Sequence, residues 1–297
     1  MKVEGKSVRR YRQIFISIVL LLVILILGEV WCSAHWLIVR NYEYQSEKLE
    51  AGQEINVAVL SDLHDHEFGE ENARLVKKVK EQEPDLILLG GDFLNEDSED
   101  ADVPCALIRQ LKDVAPVYFS LGNHEVSYME NGHTDLVGQL EAAGAVVLDK
   151  SYEDIEVNGV QFRLGGLYDY AFALDGNDDA KNTPEPVKSF LEDYQNTDHL
   201  KLMMAHRPES FCFGNASSVW DVDLVISGHI HGGQVVLPIL GGLYGGDQGW
   251  FPEYVHGMYR KDDMNIFVTS GLGSHHQLLP RFWNRPEIAM IKIHGQR

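Results

Sequence analysis

Leu224-Val225-Ile226-Ser227-Gly228-His229-Ile230-His231-Gly232-Gly233 is the stretch that decides the reading of this chain. An apolar run reads as a buried strand and breaks at once into two histidines inside a glycine frame. A glycine turn lets backbone approach an ion or a phosphate closely, because no Cβ stands in the way. Neutral imidazole is also the commonest protein metal ligand. Taken alone, a turn carrying two exposed histidines would be the plainer reading. The other strand ends of the same chain change that.

Ile55 to Leu60 reads as a buried strand ending in Ser61-Asp62-Leu63-His64, and Leu86 to Leu89 as a second ending in Gly90-Gly91-Asp92. Val117 to Ser120 runs into Gly122-Asn123-His124-Glu125, and Leu200 to Met204 into Ala205-His206-Arg207. Between them, Glu70–Gln82, Pro104–Leu111, Asp135–Ala143 and Pro186–Tyr194 read as helices from apolar spacing and proline starts. Asn158-Gly159 marks a hairpin. Asp169 to Glu185 reads as an acidic surface insertion, without the bidentate glutamate that a calcium loop needs. Strands alternating with helices make an α/β domain. In such sheets ligands bind at the carboxyl ends of strands, so five strand ends bearing oxygen or imidazole donors imply one common site.

The order D-x-H, G-G-D, G-N-H-E, a lone histidine and G-H-x-H resembles the calcineurin-like metallophosphoesterases, over Asn56 to Ile293. Gly228–Gln234, together with Ser270-Gly271-Leu272-Gly273, Pro280-Arg281 and Arg285-Pro286-Glu287-Ile288, is similar to the membrane-associated branch of that family. That branch includes UDP-2,3-diacylglucosamine pyrophosphatases. The resemblance implies a four-layer α/β sandwich, two mixed sheets flanked by helices, holding two divalent metals. By motif, Asp62, His64 and His231 would bind the first metal and Asn123, His206 and His229 the second, with Asp92 bridging. His124 would stand beside the phosphate as a catalytic group. Metal-bound hydroxide would then attack phosphorus. The nitrogen and oxygen donors suit Mn, Fe, Zn or Co and do not choose among them.

Several residues near these motifs carry weaker expectations. Asn95 stands where many relatives of that family have an acid. Asp65 and His66 read as solvated loop residues. His275 and His276 follow a late strand, and Arg207 follows His206, so all three are candidate substrate contacts. The aromatic stretch Tyr244 to Tyr254 reads as packing over the sheet.

The formal net charge is -20, with 45 acidic against 25 basic residues. Up to Arg40 six basic residues face only two acidic ones, which leaves -24 on the remainder. Such a field repels polyanions, so no nucleic-acid partner is expected and a nuclease reading is disfavoured. Two dications sharing Asp62 and Asp92 as their anionic ligands would leave the site itself positive enough for a phosphate ester. With every ligand position of the pattern filled, a non-enzymatic scaffold is the weaker alternative. Cys32, Cys105 and Cys212 lack metal-type spacing and read as ordinary thiols.

The remaining organisation is set by the N-terminus. Residues 1–13 form a basic, cytoplasmic segment, and 14–39 a transmembrane anchor or, alternatively, a cleaved signal sequence with a small residue at Ala34. Glu29 would snorkel at the far interface, beside Trp31 and Trp36. Five basic residues ahead of the span put the N-terminus inside and the catalytic domain, 54–297, outside the cytoplasm. Residues 40–53 read as a linker. The expected function is a membrane-tethered dimetal phosphoesterase acting on a diester or monoester; the alternative is a pyrophosphatase acting on a UDP-linked or lipid-linked glycolipid precursor.

Overall fold

The computed structural model describes residues 2–168, 179–275 and 279–296, with side chains from residue 8 onward. Helix α1 (Lys2–His35) leads into β1 (Ile38–Gln45), β2 (Glu54–Leu60), α2 (Ala73–Lys80), β3 (Leu86–Leu89) and α3 (Asp102–Leu111). Then come β4 (Val117–Ser120), α4 (Asn123–Glu130), α5 (Leu136–Ala143), β5 (Val146–Leu148), β6 (Ser151–Val157) and β7 (Val160–Leu167). The second half holds α6 (Val187–Tyr194), β8 (Leu200–Ala205), the short α7 (Glu209–Cys212) and α8 (Ala216–Val219), and β9 (Leu224–Ser227). The hairpin β10 (Val236–Leu237) and β11 (Gly241–Gly242) precedes β12 (Gly257–Lys261), β13 (Met264–Val268) and β14 (Glu287–His294).

Among the described residues the strands form two six-stranded sheets, ordered β1-β14-β2-β3-β4-β5 and β12-β13-β9-β8-β7-β6, beside the small β10-β11 ribbon. The run β2-β3-β4-β5 is parallel, as is β13-β9-β8-β7. Side chains alternate across each sheet, and the two faces find different neighbours. Ile55, Val57, Val59, Leu86 and Leu88 meet Phe162, Leu202, Met204, Leu224 and Ile226 between the sheets. Ala58, Leu60, Ile87 and Leu89 turn outward onto Leu75, Leu107, Ile108 and Leu140 of helices α2, α3 and α5. On the far side Met203, Val225 and Ile266 pack on Leu191, Tyr194 and Phe211. The result is the expected four-layer α/β sandwich, buried on both faces of both sheets. That explains why these strands read as continuous apolar runs.

The structure corrects two boundaries. Residues 40–53 are not a free linker: β1 lies parallel along the whole of β14, from Ile38 opposite Glu287 to Gln45 opposite His294. Tyr44 and Leu49 are buried in the core between the sheets. An edge strand keeps polar and charged residues on its open side, so Arg40-Asn41-Tyr42-Glu43 looks like a linker in composition. The apolar segment also does not run to 39 as one element. Helix α1 ends at His35, and Leu37 enters the domain core. The helix expected over 70–82 is shorter, because Glu71 and Asn72 are left-handed (φ 49° and 62°) and α2 begins only at Ala73. Most of the acidic insertion (169–178) lies outside the described residues. Cys32, Cys105 and Cys212 are free thiols, as read.

Candidate metal centre

Parallel neighbours bring the carboxyl ends of β2, β3 and β4, and of β8 and β9, to one edge of the sandwich. The turns leaving them are interlocked. Asp62 N donates to Gly91 O at 2.9 Å and His64 N to Asp92 O at 3.0 Å. His229 N donates to Asp62 Oδ1 and His124 N to Asp92 Oδ1, both at 2.9 Å. Asp62, His64, Asp92, His229 and His231 are all left-handed, with φ between 49° and 70°. Each such residue costs on the order of 1–3 kcal/mol and persists only where its surroundings over-determine it.

Two glycines make the close approach that this requires. A Cβ on Gly91 would stand 2.6 Å from Gly122 N, at φ 90°, and one on Gly228 would stand 2.1 Å from Ser61 Oγ and 2.6 Å from Asp62 Oδ2. Gly232 and Gly233 make close approaches of their own. A Cβ on Gly232 would stand 2.8 Å from Asn284 Oδ1, and one on Gly233 would stand 2.5 Å from Gly242 Cα.

Among the described residues the donor atoms fall into three mutually close groups, each within 4.8 Å: Asp62, His64 and His231; His64, Asp92 and His124; Asp92, His206 and His229. Their outer atoms are already committed. His64 Nδ1 meets Asn95 Oδ1 at 2.9 Å, His206 Nδ1 meets Gly90 O at 2.7 Å, and His231 Nδ1 meets Gly273 O at 3.2 Å. His229 Nε2 meets Asp247 Oδ2 at 2.7 Å. Hydrogen bonds to these acceptors put a proton on the outer nitrogen and turn the inner one toward the centre. The inner atoms Asp62 Oδ2, His64 Nε2 and His229 Nδ1 are buried without a hydrogen-bond partner, and His206 Nε2 has Asp92 Oδ2 beside it. Buried polar atoms without partners are expensive, so such atoms inside these donor groups fit bound cations.

The electrostatics agree. Burial pushes His64 down to about 3 and His231 well below the usual imidazole range, so both rings are neutral near neutrality. Burial raises Asp62. Burial alone would also raise Asp92, but His206, His64 and His124 together hold it well below the usual carboxylate range. His206 Nε2 stands 3.0 Å from Asp92 Oδ2 and, against its burial, is drawn up to about 9 by that carboxylate. The atoms that attract a proton there are the ones that would attract a cation.

The other sequence candidates divide. Asn123 opens α4, and its Oδ1 accepts from Arg207 Nε at 3.4 Å. Arg207 also reaches Asp247 at 3.8 Å, so it lies at the rim of the centre. His124 is half-buried, with its ring 4.8 Å from that of His64. Its Nδ1 accepts from Glu96 N at 3.2 Å, which leaves the proton on Nε2. His275 lies 6.1 Å, ring to ring, from His124 and has Nε2 3.1 Å from Asp97. His276 lies outside the described residues. Asp65 is not simply solvated: it accepts from Asn95 Nδ2 at 3.0 Å and from Ser98 Oγ. His66 is also half-buried, against Phe68 and the ring of His35.

Two residues escaped the sequence reading. Glu125 is fully buried and accepts from the backbone of Asp92 (2.8 Å), Phe93 (2.7 Å) and Gly122 (2.7 Å), tying the ends of β3 and β4 together. Burial, with Asp92 adding to it, pushes its carboxyl up to about 7. The G-N-H-E block contained it, so a signal was present. Asp247 lies 18 residues beyond its histidine in a glycine-rich loop, and nothing local marks it.

Comparison with known proteins places this architecture. The profile of the family described as "Calcineurin-like phosphoesterase" matches residues 55–233. The chain therefore belongs to the calcineurin-like phosphoesterases, and its class of reaction is metal-dependent hydrolysis of phosphate esters. It is 27% identical over 271 residues to an uncharacterized metallophosphoesterase of Aquifex aeolicus, covering 89% of this chain and 94% of that one. It is 31% identical over 216 residues to the protein named phosphodiesterase YaeI of Escherichia coli, covering 72% of each. An uncharacterized metallophosphoesterase of Helicobacter pylori is 26% identical over 245 residues, 81% of this chain and 60% of that one.

Proposed function

We propose that this chain is a membrane-anchored dimetal phosphoesterase that hydrolyses a phosphodiester or phosphomonoester on the extracytoplasmic side. Asp62, His64 and His231 would hold one cation and Asn123, His206 and His229 the other, with Asp92 available to both. Bound there, two divalent cations, drawn from Mn, Fe, Zn and Co, supply a nucleophile at neutral pH and offset charge at phosphorus. The observation that carries the reading is the set of three buried inner atoms without partners, Asp62 Oδ2, His64 Nε2 and His229 Nδ1, each on a side chain whose other polar atom is already bonded.

The protein's own groups have separate tasks. Asn95, Gly90, Gly273 and Asp247 hold the four imidazoles with their other ring nitrogens turned inward. His124, with its proton on Nε2, donates to the departing oxygen. Arg207, beside Asn123, engages a phosphate oxygen at the rim.

Anchoring is supported by α1, whose Val8–His35 portion is long and apolar enough to span a bilayer, with its most apolar stretch unburied by the protein. Retention of the helix is supported by its base. Ser33 is fully buried and accepts from Asn284 N at 3.4 Å, while Glu29 pairs with Arg285 at 3.1 Å. Cleavage near Ala34 would discard both contacts.

The test is hydrolysis of bis(p-nitrophenyl) phosphate and p-nitrophenyl phosphate by the full chain in detergent, after chelation and after reloading with Mn or Zn. The expected result is activity that disappears with chelator and returns with metal. Protein that retains neither metal and cleaves neither ester would overturn the reading.

A further inference from the structure

Outside α1 and the adjoining Trp36, the exposed large apolar side chains among the described residues are Ile239, Leu240, Trp250, Phe251 and Trp283. They are not scattered. Ile239 and Leu240 form the tip of the β10-β11 hairpin, and that hairpin is stitched to the segment carrying Trp283. Val236 N donates to Phe282 O at 2.9 Å, Phe282 N donates to Gln234 O at 3.1 Å, and the Phe282 and Trp283 rings are 5.2 Å apart. Phe251 N donates to Leu243 O at 2.9 Å, and Trp250 rests against Tyr244 at 5.4 Å. The aromatic stretch is thus split, with Tyr254 packed on Phe213 and Tyr259 while Trp250 and Phe251 face outward.

Three of these five residues sit at positive φ: Ile239 at 72°, Phe251 at 58° and Trp283 at 52°. For bulky residues this is a strained conformation. Here it turns apolar side chains toward the outside, Ile239 completely so, with no burial within the chain to offset the cost. The neighbouring residues say what covers them. Arg285 pairs with Glu29 of α1 at 3.1 Å and lies 4.9 Å over the Trp36 ring, and Asn284 bonds Ser33. The patch is therefore continuous with the end of the helix that spans the bilayer.

We infer that Ile239, Leu240, Trp250, Phe251 and Trp283 form a second membrane contact that inserts into the lipid interface beside α1. It would hold the metal centre close to the lipid headgroups. The loop between the hairpin and Trp250 also carries Asp247, which holds His229, so the contact and the centre share one segment. Tryptophan and phenylalanine suit the interface, where an apolar body meets a polar headgroup layer. Insertion is apolar rather than electrostatic, because the chain beyond Arg40 carries -24 and anionic lipid would repel it. The inference rests on the proposal that α1 is a membrane anchor.

Fluorescence quenching tests both parts separately. The full chain is placed in phosphatidylcholine nanodiscs with brominated acyl chains and compared with Trp31→Phe and with Trp250→Phe/Trp283→Phe. Trp31→Phe reports the helix. The double variant should lower the quenched amplitude by about half, since Trp250 and Trp283 are two of the four exposed tryptophans at the proposed interface. Ile239→Asp/Leu240→Asp should reduce quenching of Trp250 while leaving that of Trp31 and the hydrolysis of a soluble ester unchanged. If Trp31→Phe changes the quenching and Trp250→Phe/Trp283→Phe does not, the second contact is wrong and the anchor stands. If Trp31 is unquenched, the anchor and the inference fall together.

Discussion

His229 Nε2 stands 2.7 Å from Asp247 Oδ2, and that one contact turns the other ring nitrogen, Nδ1, into a buried atom without a partner. A carboxylate behind a ligating imidazole fixes its tautomer and raises its basicity. Loss of such an outer partner typically costs 10–100-fold in metal affinity or activity. Asp247→Asn should therefore weaken metal retention by about 10–100-fold at unchanged fold. Chelator competition with metal content measured per chain would show it. Retention equal to the parent would mean that Asp247 is only a surface partner.

Asp92 reaches two of the three donor groups, so its loss should exceed that of any outer residue. Asp92→Asn is expected to lower hydrolysis of a chromogenic diester by more than the roughly 100-fold upper range of outer partners. The accompanying readout is a drop in bound metal. A variant that keeps its metal and its rate would remove Asp92 from the centre.

Asn95 couples the centre to a neighbouring polar cluster. Its Oδ1 accepts from His64 and its Nδ2 donates to Asp65 at 3.0 Å. Asn95→Asp would bring two carboxylates into contact and is expected to destabilise the fold by about 1–3 kcal/mol, the cost of a broken buried hydrogen bond. Adding Asp65→Asn restores one donor and one charge, so the double variant should recover most of that loss. Urea unfolding of all four proteins gives the coupling, and strict additivity would refute it.

Two glycines with opposite surroundings should respond in opposite directions. Gly91→Ala meets Gly122 N at 2.6 Å and a backbone at φ 90°, so a loss of about 1–3 kcal/mol from overpacking is expected, together with lost metal. Gly138 lies in α5 with nothing within 4 Å of an added Cβ, and alanine there should stabilise by about 0.5–1 kcal/mol. Thermal unfolding of the two variants side by side separates a site requirement from a general glycine effect.

Much of the sandwich was legible because its strands are buried on both faces and end in donors that the apolar runs make conspicuous. Asp62, His64, Asp92, His206, His229 and His231 all announce themselves in this way, and the structure brings them together. Residues with mixed roles were harder to read. The edge strand β1 hides behind Arg40-Asn41-Tyr42-Glu43, because a half-paired strand needs polar residues on its open side. Glu125 follows His124 directly, yet its task depends on the backbone of Asp92 and Phe93, which is 32–33 residues away.

The sequence by itself determined an α/β domain whose buried strands end in oxygen and imidazole donors, since burial periodicity and side-chain chemistry are local properties, while the four layers followed from the family resemblance. Only the tertiary structure decided how each donor is held and what surrounds it. Asp247 behind His229, Asn284 between His231 and Ser33, and the apolar hairpin tip beside the base of α1 all depend on loop paths. A loop's path follows from which distant groups satisfy its backbone and side chains, and no local pattern encodes that choice.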